Sequence, residues 1–334
     1  MSMSTQKSIL VLGSNSFSGS NFVNSLLSSG YKVLGVSRST EVDPEFSGYR
    51  KNINVSNFSY HQLDLNLDFE RIVDLCIVAN VTSVVNFSAQ SMVAQSWITP
   101  EDWYETNIVG LSKFLRELSR LPSLEKFINF STPEVYGTTD EWIEENFEFY
   151  PTTPYAISRA AGDFHLNGLW QTFGFPVIFT RAANVYGPGQ QLYRVIPRAI
   201  LSGLLGRRIP LQGGGTSIRS FIHIEDVSRA LLAILEKGQI GESYHISTDR
   251  LVSIKELLEI ISQKLDVNFL DMVEMAPERA GKDFAYKLLS KKLRSELGWT
   301  DTITLENGID ETIKWARANL MVLAGQSSEY HHKR

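Results

Sequence analysis

Two short stretches of the sequence carry the side chains that could move protons. Residues 130–137 read Phe-Ser-Thr-Pro-Glu-Val-Tyr-Gly at the end of an apolar run, and residues 155–159 read Tyr-Ala-Ile-Ser-Arg. Hydroxyls and a carboxylate after a strand, with a tyrosine that opens a helix and a cation one turn later, can remove and return protons beside a redox cofactor. The catalytic candidates are Ser131, Thr132, Glu134, Tyr155 and Arg159.

A glycine-bounded loop near the start of the chain could hold that cofactor. Residues 13–19 read Gly-Ser-Asn-Ser-Phe-Ser-Gly and stand between an apolar run and a predicted helix. Amide groups at a helix N-terminus, together with the helix dipole, favour a pyrophosphate. A tight turn before a helix also needs glycine for steric reasons, so the motif is informative only in this context. The cofactor candidates here are Gly13, Asn15, Ser16, Phe17, Ser18 and Gly19.

The choice between NAD and NADP depends on the end of the second strand. NAD sites usually place an acid there, whereas NADP sites place a cation for the 2'-phosphate. Residues 36–39 read Val-Ser-Arg-Ser, with no acid before Glu41, which favours NADP with Arg38 as the cation. In the alternative, Arg38 is a solvated loop residue and the site takes NAD. Asp64, followed by Leu65, ends the third strand and is a candidate for the adenine amino group, or else a helix cap.

Strands and helices alternate through the first half of the chain, and this order would position both stretches. Apolar runs predict strands at 7–12, 31–36, 60–63, 84–87, 127–130 and 177–180. Intervening segments predict helices at 18–29, 69–76, 101–118 and 154–172. Strands that are apolar along their whole length and alternate with helices indicate an α/β fold with a Rossmann-like, doubly wound parallel sheet.

The alternation breaks after Arg181. Turn-rich glycine segments follow, and the remaining elements are a helix near 195–205, a return to the sheet pattern at 222–237 with Asp226 as a helix cap, and outer helices near 257–261 and 303–320. We expect a NAD(P)-binding domain formed by 1–182 with 222–246, and a smaller mixed α/β nucleotide-sugar-binding lobe formed by 183–221 with 247–322. Residues 323–334 are expected to be a polar tail, with His331 and His332 in a frayed terminus.

Composition excludes several classes of partner. The chain has 334 residues, 43% of them apolar, and a net charge of -5, and it lacks the basic patches that bind nucleic acid or membrane surfaces. No apolar run approaches the ~20 residues that span a bilayer. The single cysteine, Cys76, excludes an internal disulfide, and no apolar signal core precedes the first strand, so we expect a cytoplasmic protein. The histidines are too scattered for a zinc site, so no metal is expected.

Several motifs in order resemble a known family. They are residues 86–91 (Asn-Phe-Ser-Ala-Gln-Ser), 131–137, 154–155, 184–188 (Asn-Val-Tyr-Gly-Pro), 219–226 and 278–283. Together with the glycine loop they are similar to the extended short-chain dehydrogenase/reductases that act on nucleotide sugars, and most similar to the sugar-nucleotide 4,6-dehydratases of the dTDP-glucose and GDP-mannose type. The resemblance implies a homodimer and a tightly bound NAD(P) that is regenerated in each turnover. It adds Ser88 and Ala89 to the cofactor candidates.

The resemblance implies transient oxidation at C4 of a nucleotide-diphosphate hexose, loss of water across C5 and C6, and return of the hydride to C6. Tyr155 is then the base for the 4-hydroxyl, and Glu134 is the base for the C5 proton. Thr132, with Ser131 as the lesser candidate, hydrogen-bonds the 4-hydroxyl. A free tyrosine has a pKa near ~10. A cation ~4 Å away at an effective dielectric of ~20 contributes ~4 kcal/mol, or about three pKa units, so we expect Arg159 to supply enough charge.

Four positions depart from the family pattern. Arg159 replaces a lysine, Pro133 an aspartate, Met92 a histidine, and Ser16 a glycine. Since proline cannot act as an acid, we expect Glu134 to deliver the C5 proton to the leaving 6-hydroxyl as well. Arginine also presents a planar fork where lysine presents a point charge, so the contacts to the nicotinamide ribose are expected to differ.

The substrate candidates follow from the same resemblance. Arg219 and Arg279 lie where diphosphate-binding arginines would be expected, Asn184 lies near the sugar phosphate, and Arg194 and Gln191 could reach the base or ribose. For each arginine the alternative is a surface salt bridge. Gln90 and Ser91, in the motif at 86–91, complete the set.

Two other kinds of function stay open at this point. On the same scaffold the chain could be a 4-epimerase, a UDP-glucuronate decarboxylase or a 5,6-dehydratase, which differ in the product they release. It could also be a non-catalytic dinucleotide-binding protein, for which Arg159 and Pro133 are the best support. Simple 4-epimerases of this fold generally lack the equivalent of Glu134, and mere binding of a dinucleotide needs neither Glu134 nor Tyr155.

Overall fold

The computed structural model describes residues 7–139, 141–277 and 285–333. Its strands are β1 (Ser8–Leu12), β2 (Lys32–Ser37), β3 (Phe58–Gln62), β4 (Val81–Asn86), β5 (Lys126–Ser131), β6 (Trp142–Ile143), β7 (Val177–Ala182), β8 (Asn184–Tyr186), β9 (Ile209–Gln212), β10 (Ile218–His223), β11 (Ser243–Ile246), β12 (Leu251–Ser253), β13 (Val273–Ala276) and β14 (Lys287–Leu288). Its helices are α1 (Phe17–Ser28), α2 (Phe69–Val78), α3 (Pro100–Tyr104), α4 (Leu111–Leu118), α5 (Pro154–Phe173), α6 (Val195–Leu204), α7 (Ile224–Lys237), α8 (Ile254–Leu265), α9 (Phe269–Met272), α10 (Lys291–Leu297), α11 (Leu305–Ala318) and α12 (Leu320–Leu323).

A seven-stranded sheet forms the centre of the molecule, in the order β11-β7-β5-β4-β1-β2-β3. Every neighbouring pair in it is parallel. Alternate residues of β1 face opposite sides: Ile9 belongs to the hydrophobic cluster that includes residues of α1 and α7, and Leu10 to the cluster that includes residues of α2 and α4. All five residues of β1 are buried, as a strand covered on both faces requires. The predicted doubly wound parallel sheet is confirmed.

The strand order fixes the place of the site. The chain runs outward from β1 through β2 to β3, then crosses to β4 on the other side of β1. At such a switch point the loops after the two strands separate and leave a crevice at their carboxyl ends. The glycine loop follows β1 and the motif at 86–91 follows β4, so both lie at this crevice.

A second group of elements packs beside the sheet. Its hydrophobic cluster includes buried residues of α6, α8 and α11 together with Leu211 of β9 and Phe221 of β10. Strands β12, β10 and β8 form a three-stranded sheet, and β13 pairs with β9. The predicted domain boundaries are not tested by this packing and stay a prediction.

Two local predictions differ from the structure. The helix expected over 101–118 is divided into α3, a π-helical turn (Glu105–Gly110) and α4. Asp226 is not the cap of α7: that residue is His223, whose ring nitrogen Nδ1 accepts from the Glu225 amide. Asp226 lies in the first turn, fully buried, where its carboxylate accepts from the backbone amides of Thr302 and Ile303. It therefore joins α7 to the segment before α11.

No helix in the described part of the chain is long and apolar enough to cross a membrane.

The C-terminal segment also differs from expectation. After α12, residues 326–333 run back along the crevice, and the His332 ring stacks on the buried Trp103 ring with centroids 4.8 Å apart. The prediction of a frayed terminus is wrong for these residues, because a long-range aromatic contact holds them.

Candidate active site

A cavity of about 1130 Å³ opens at the crevice. Twenty of the predicted site residues line it, and they are Gly13, Asn15, Ser16, Phe17, Ser18, Arg38, Asp64, Leu65, Ser88, Ala89, Gln90, Ser91, Ser131, Thr132, Glu134, Tyr155, Arg159, Asn184, Gln191 and Arg194. Gly19 and Arg219 are not among the lining residues, and Arg279 lies outside the described residues. The cleft therefore brings the glycine loop, the turn after β5 and the start of α5 together.

The glycine loop is shaped by close backbone approaches. Gly13 has a φ of +76°, and a Cβ built on it would lie 2.8 Å from the Ser88 backbone nitrogen. A Cβ on Gly19 would overlap the Gly13 carbonyl oxygen, so Gly19 serves the turn and not the cavity wall. Ser16 caps α1, because its Oγ accepts from the Gly19 amide at 3.0 Å. The serine that replaces the family's glycine thus has a helix-capping role.

The loop after β2 is tied to the glycine loop by Asn15. The side-chain Nδ2 of Asn15 donates to the Thr40 carbonyl at 2.7 Å and to the Tyr60 hydroxyl at 2.9 Å. This arrangement places the half-buried Arg38 at the cavity wall. The first acid after β2, Glu41, accepts from the Tyr49 hydroxyl at 2.6 Å.

The turn after β5 presents Thr132 and Glu134 to the cavity. Thr132 caps a short 3-10 turn (Pro133–Tyr136), and its Oγ accepts from the Glu134 amide at 3.3 Å. Pro133 occupies the first position of the turn, where its missing N–H is not needed. Ser131 is used differently: its Oγ donates to the buried Asp163 carboxylate at 2.9 Å. The geometry favours Thr132 over Ser131 as the hydroxyl that meets a ligand.

Tyr155 opens α5 at the floor of the cleft, one residue after Pro154 and two after the capping Thr153. Burial raises the pKa of Tyr155, while the Arg159 charge lowers it; the nearby Glu134 raises it and a hydrogen bond with Thr132 lowers it. The net direction is upward, so burial outweighs the cation. Because this balance includes only the protein's own groups, the predicted role of the Arg159 charge is not tested by it and stays a prediction.

Arg159 is itself buried, and its Nη2 donates to the Phe130 carbonyl at 2.5 Å. Phe130 lies one residue before the end of β5, so this bond fixes the helix that carries Tyr155 to the strand that leads into Thr132. A lysine has a single ammonium group. It could not hold the carbonyl with one nitrogen of a planar group while another nitrogen of that group faces the cavity. The arginine therefore adds a structural contact to its charge.

A buried polar network behind the turn was not predicted. The Asp163 carboxylate accepts from Arg181 at 2.8 Å, from Asn129 at 2.9 Å and from Ser131. Asp163 and Arg181 are fully buried, and the Arg181 guanidinium lies 4.9 Å from the Phe149 ring centroid. Because a buried charge without its partner is costly, the network fixes the end of β5. Its only signal in the sequence is a charged residue four positions after Arg159 in the same helix.

The other wall of the cleft carries cations at the start of α6 and in its first turn. Arg194 lies 3.5 Å from the Ser91 hydroxyl, and Arg198, which the sequence reasoning missed, lines the cavity one helical turn later. The spacing of four residues was the available signal. Arg219 instead lies with its guanidinium 4.8 Å from the ring centroid of Tyr286. Tyr286 does line the cavity, where its hydroxyl donates to Asn184 at 2.7 Å.

These groups define what the cleft can do. One side offers glycines and helix amides suited to a pyrophosphate, and the other offers guanidinium groups suited to a second anion. Between them lie a phenol, a hydroxyl and a carboxylate that can exchange protons with one small molecule. Among the described residues no group of three or more His, Cys, Asp or Glu side chains could hold a metal ion.

The sequence is similar to proteins of known activity. It matches the family described as GDP-mannose 4,6 dehydratase over residues 10–312. It is 33% identical over 323 residues to a dTDP-glucose 4,6-dehydratase of Streptomyces niveus, with 93% of each chain covered. It is 30% identical over 329 residues to the trifunctional UDP-glucose 4,6-dehydratase/UDP-4-keto-6-deoxy-D-glucose 3,5-epimerase/UDP-4-keto-L-rhamnose-reductase of Arabidopsis thaliana. That match covers 96% of this chain and 48% of the plant protein, so the chain spans about half of that relative.

The fold is similar to a solved structure of the same kind. A crystal structure of a dTDP-glucose 4,6-dehydratase from Streptomyces venezuelae, with NAD and TYD bound, matches with a TM-score of 0.86 and 28% sequence identity. The match covers 94% of this chain and 98% of that chain. The likeness therefore includes both the sheet with its glycine loop and the second group of elements.

Proposed function

Since the chain belongs to the GDP-mannose 4,6 dehydratase family, we propose that it is an NAD(P)-dependent nucleotide-sugar 4,6-dehydratase, which converts a nucleotide-diphosphate hexose into its 4-keto-6-deoxy derivative. The observation that carries this proposal is that Thr132, Glu134 and Tyr155 line the cavity that the glycine loop also lines. Epimerisation needs oxidation and reduction at C4 only, whereas elimination also needs a group that removes the C5 proton. We assign this role to Glu134.

The glycine loop fits a dinucleotide. A side chain at Gly13 is excluded by the Ser88 backbone, and α1 begins at the cavity with its first amides unpaired by the helix. When bound, NAD(P) supplies a nicotinamide that accepts the C4 hydride and returns a hydride to C6. The backbone around Gly13, Ser16 and Phe17 would hold the pyrophosphate.

Tyr155 takes the proton from the 4-hydroxyl of the hexose. Its hydrogen bond with Thr132 leaves the two hydroxyl groups side by side, so both can meet the same sugar oxygen. Arg159 lowers the pKa of Tyr155 against the larger effect of burial, and so increases the fraction of phenolate at any pH below that pKa. The contact of Arg159 with Phe130 keeps this pair in register.

Glu134 acts after the C4 ketone has formed. The ketone makes the C5 proton acidic, and the carboxylate removes it. The neighbouring Pro133 has no titratable group, so Glu134 also carries that proton to the leaving 6-hydroxyl. One carboxyl group can do both if water leaves from the face on which the proton was taken. The anionic end of the substrate meets Arg194, which precedes α6, and Arg198, which lies in α6.

A product screen tests the proposal. The purified chain is incubated with dTDP-, UDP-, GDP- and CDP-hexoses, and the products are analysed by mass spectrometry for the loss of one water. We expect Glu134→Gln to reduce formation of the 4-keto-6-deoxy product by on the order of 10²–10⁴, the range for a lost general acid or base. Oxidation at C4 should persist, so reduced cofactor should accumulate and be visible by its absorbance.

The matched control is Glu148→Gln, since Glu148 is exposed and lies outside the cavity lining. It should form product at the wild-type rate. Loss of water at the wild-type rate in Glu134→Gln contradicts the role given to Glu134. A product of unchanged mass, or release of carbon dioxide, from the wild-type chain would instead indicate an epimerase or a decarboxylase.

We also propose that the cofactor is NADP. Arg38 lines the cavity after β2, and the nearest acid, Glu41, is engaged by Tyr49 and lies 3.7 Å from Arg50. No other acid lies between Arg38 and Glu41 to receive the ribose hydroxyl of NAD. The similar crystal structure from Streptomyces venezuelae contains NAD, and this observation favours NAD instead of NADP.

Replacing Arg38 tests this choice. A charge-assisted hydrogen bond to phosphate is worth about 1.5–3 kcal/mol, so Arg38→Ala should weaken NADP about tenfold to a hundredfold and NAD far less. Titration calorimetry on cofactor-free protein gives both affinities, and Arg71→Ala, a salt-bridged residue outside this cavity, is the control. A ratio of NADP to NAD affinity that is unchanged in Arg38→Ala means that Arg38 does not read the 2'-phosphate.

A cytoplasmic location and a homodimer complete the proposal. Cys76 is buried and free, which suits a reducing compartment. The outer face of α5, the helix that carries Tyr155, exposes apolar side chains that a second copy of the chain could cover.

A further inference from the structure

The C-terminal segment 326–333 forms part of the wall of the cavity. Six of its residues line the cleft, and they are Gln326, Ser327, Glu329, Tyr330, His331 and Lys333. None of them was predicted to do so, because the segment is polar and follows the last helix. We call residues 326–333 the strap.

The strap is fastened on the side of the cleft that carries the glycine loop. The Lys333 carbonyl accepts from Arg38 at 2.7 Å and from Gln90 at 2.8 Å. These donors come from the loops after β2 and β4, on the two sides of β1. One carbonyl thus bridges the mouth of the crevice where a dinucleotide would enter.

His332 makes the second set of contacts that hold the strap in place. Its ring is nearly parallel to the Trp103 ring, at 10° between planes, and its Nε2 lies 2.8 Å from the Asp102 carboxylate. Trp103 is fully buried and Asp102 belongs to the same short helix, so the receiving site is part of the packed molecule. The neighbouring His331 is exposed and contacts Ser327 of the strap itself, at 3.3 Å.

The strap also reaches the opposite wall. The ring of Tyr330 packs edge to face against Tyr193, with centroids 5.3 Å apart, and Tyr193 precedes α6. The strap therefore spans from the loops at β2 and β4 to the wall that carries Arg194. It lines the cavity without filling it, because about 1130 Å³ remains open. This volume is slightly above the range of about 300–1,000 Å³ that is usual for ligand sites.

We propose that the strap is the outer wall of the cofactor site and slows release of the bound dinucleotide between turnovers. The inference rests on the proposed function, in which the hydride removed from C4 returns to C6 of the same sugar. Such a reaction consumes no cofactor, so a wall that hinders exchange costs the enzyme no turnover. To admit the cofactor, the strap must release Arg38, Gln90 and the Trp103 face together.

The test compares the full chain with a chain that ends at Gly325. The cut leaves Leu323, a buried residue of the core that includes α11, in place. Both proteins are loaded with NADPH, and its release is followed by fluorescence after dilution into excess NADP. We expect the shortened chain to release NADPH at least tenfold faster. Equal release rates, or slower release from the shortened chain, would overturn the role proposed for the strap.

Point variants guard against misfolding of the shortened chain. His332→Ala should speed release severalfold at an unchanged thermal midpoint, and His331→Ala should change it much less, because His331 lacks the contacts to Trp103 and Asp102. Equal rates of NADPH release from His332→Ala and His331→Ala would contradict the proposal that the His332 contacts hold the strap in place. If the full chain retains neither NADP nor NAD, the proposed function fails along with the strap, whereas equal release from two proteins that both bind cofactor overturns the strap alone.

Discussion

The hydroxyl of Tyr155 is in an environment that disfavours its ionisation. The ring is buried, and burial is the largest influence on its pKa, which it raises. Arg159 is the largest opposing influence, ahead of the hydrogen bond with Thr132. The phenolate fraction, and with it the rate of C4 oxidation, should therefore rise with pH up to the pKa of Tyr155.

Removing the Arg159 charge should move that dependence to higher pH. A neutral side chain takes away an influence that lowers the pKa of Tyr155, so Arg159→Met should move the rising limb upward by about one to three pH units, the range for a single charge nearby. Single-turnover reduction of the cofactor, measured against pH, gives the limb directly. At a fixed pH below the limb, the phenolate fraction and the rate should fall about tenfold for every pH unit by which the limb moves.

Arg159→Lys is the matched variant for this experiment. It keeps the charge, so the position of the limb should stay near that of the wild type. It loses the bond from the guanidinium to Phe130, so the plateau rate can fall while the limb stays in place. A limb that does not move in Arg159→Met would mean that the Arg159 charge does not control the pKa of Tyr155.

Single residues of the site were predictable where chemistry requires a particular type. Glu134 and Tyr155 stood out because a carboxylate and a phenol at the ends of predicted elements have few structural explanations, and both line the cavity. Ser131 was the lesser candidate beside Thr132, but the sequence alone could not dismiss it. Its hydroxyl is instead bound to Asp163, since consecutive residues at a strand end point in different directions. Only the partner, 32 positions away, decides between them.

At the scale of elements, local pattern was sufficient for the sheet. Runs such as β1 are apolar on both faces, glycine marks the turn after β1, and Thr-Pro marks the start of α5. The order of elements in the first half of the chain therefore follows from the local sequence pattern. The π-helical turn between α3 and α4 has no such signal. Its Gly110 approaches Asn66, a residue of another loop, which only the fold brings near.

The strap shows where prediction from local pattern stops. Polar residues after the last helix have no periodicity that would indicate a packed segment. They are ordered by Trp103, Arg38 and Gln90, residues more than 200 positions earlier in the chain. The cations at the start of α6 are an intermediate case. The spacing of Arg194 and Arg198 was visible in the sequence, but the direction of their side chains depended on how α6 packs.

At the scale of the whole molecule, the outer face of α5 is left apolar. Ile157 is 42% exposed and Phe164 50% exposed, and their separation by seven residues puts them on one face of the helix. Val109, in the turn before α4, is also 39% exposed. Large apolar groups grouped on neighbouring helices are typical of a surface that another protein covers. A second copy of the chain, meeting this face with its own α5, would bury both sets.

A charge on this face should separate the two copies. We expect the wild type to have the mass of a dimer by light scattering after size exclusion, and Phe164→Glu to shift toward the monomer, because each dimer would bury two carboxylates without partners. Phe173→Glu is the control: Phe173 is 79% exposed on the same helix, but nine residues further on it faces about the opposite direction. A monomeric wild type, or a Phe164→Glu protein that stays dimeric at the same concentration, would show that α5 is not the interface. Since Tyr155 and Arg159 lie on the buried side of this helix, cofactor binding by Phe164→Glu would tell loss of the dimer apart from loss of the site.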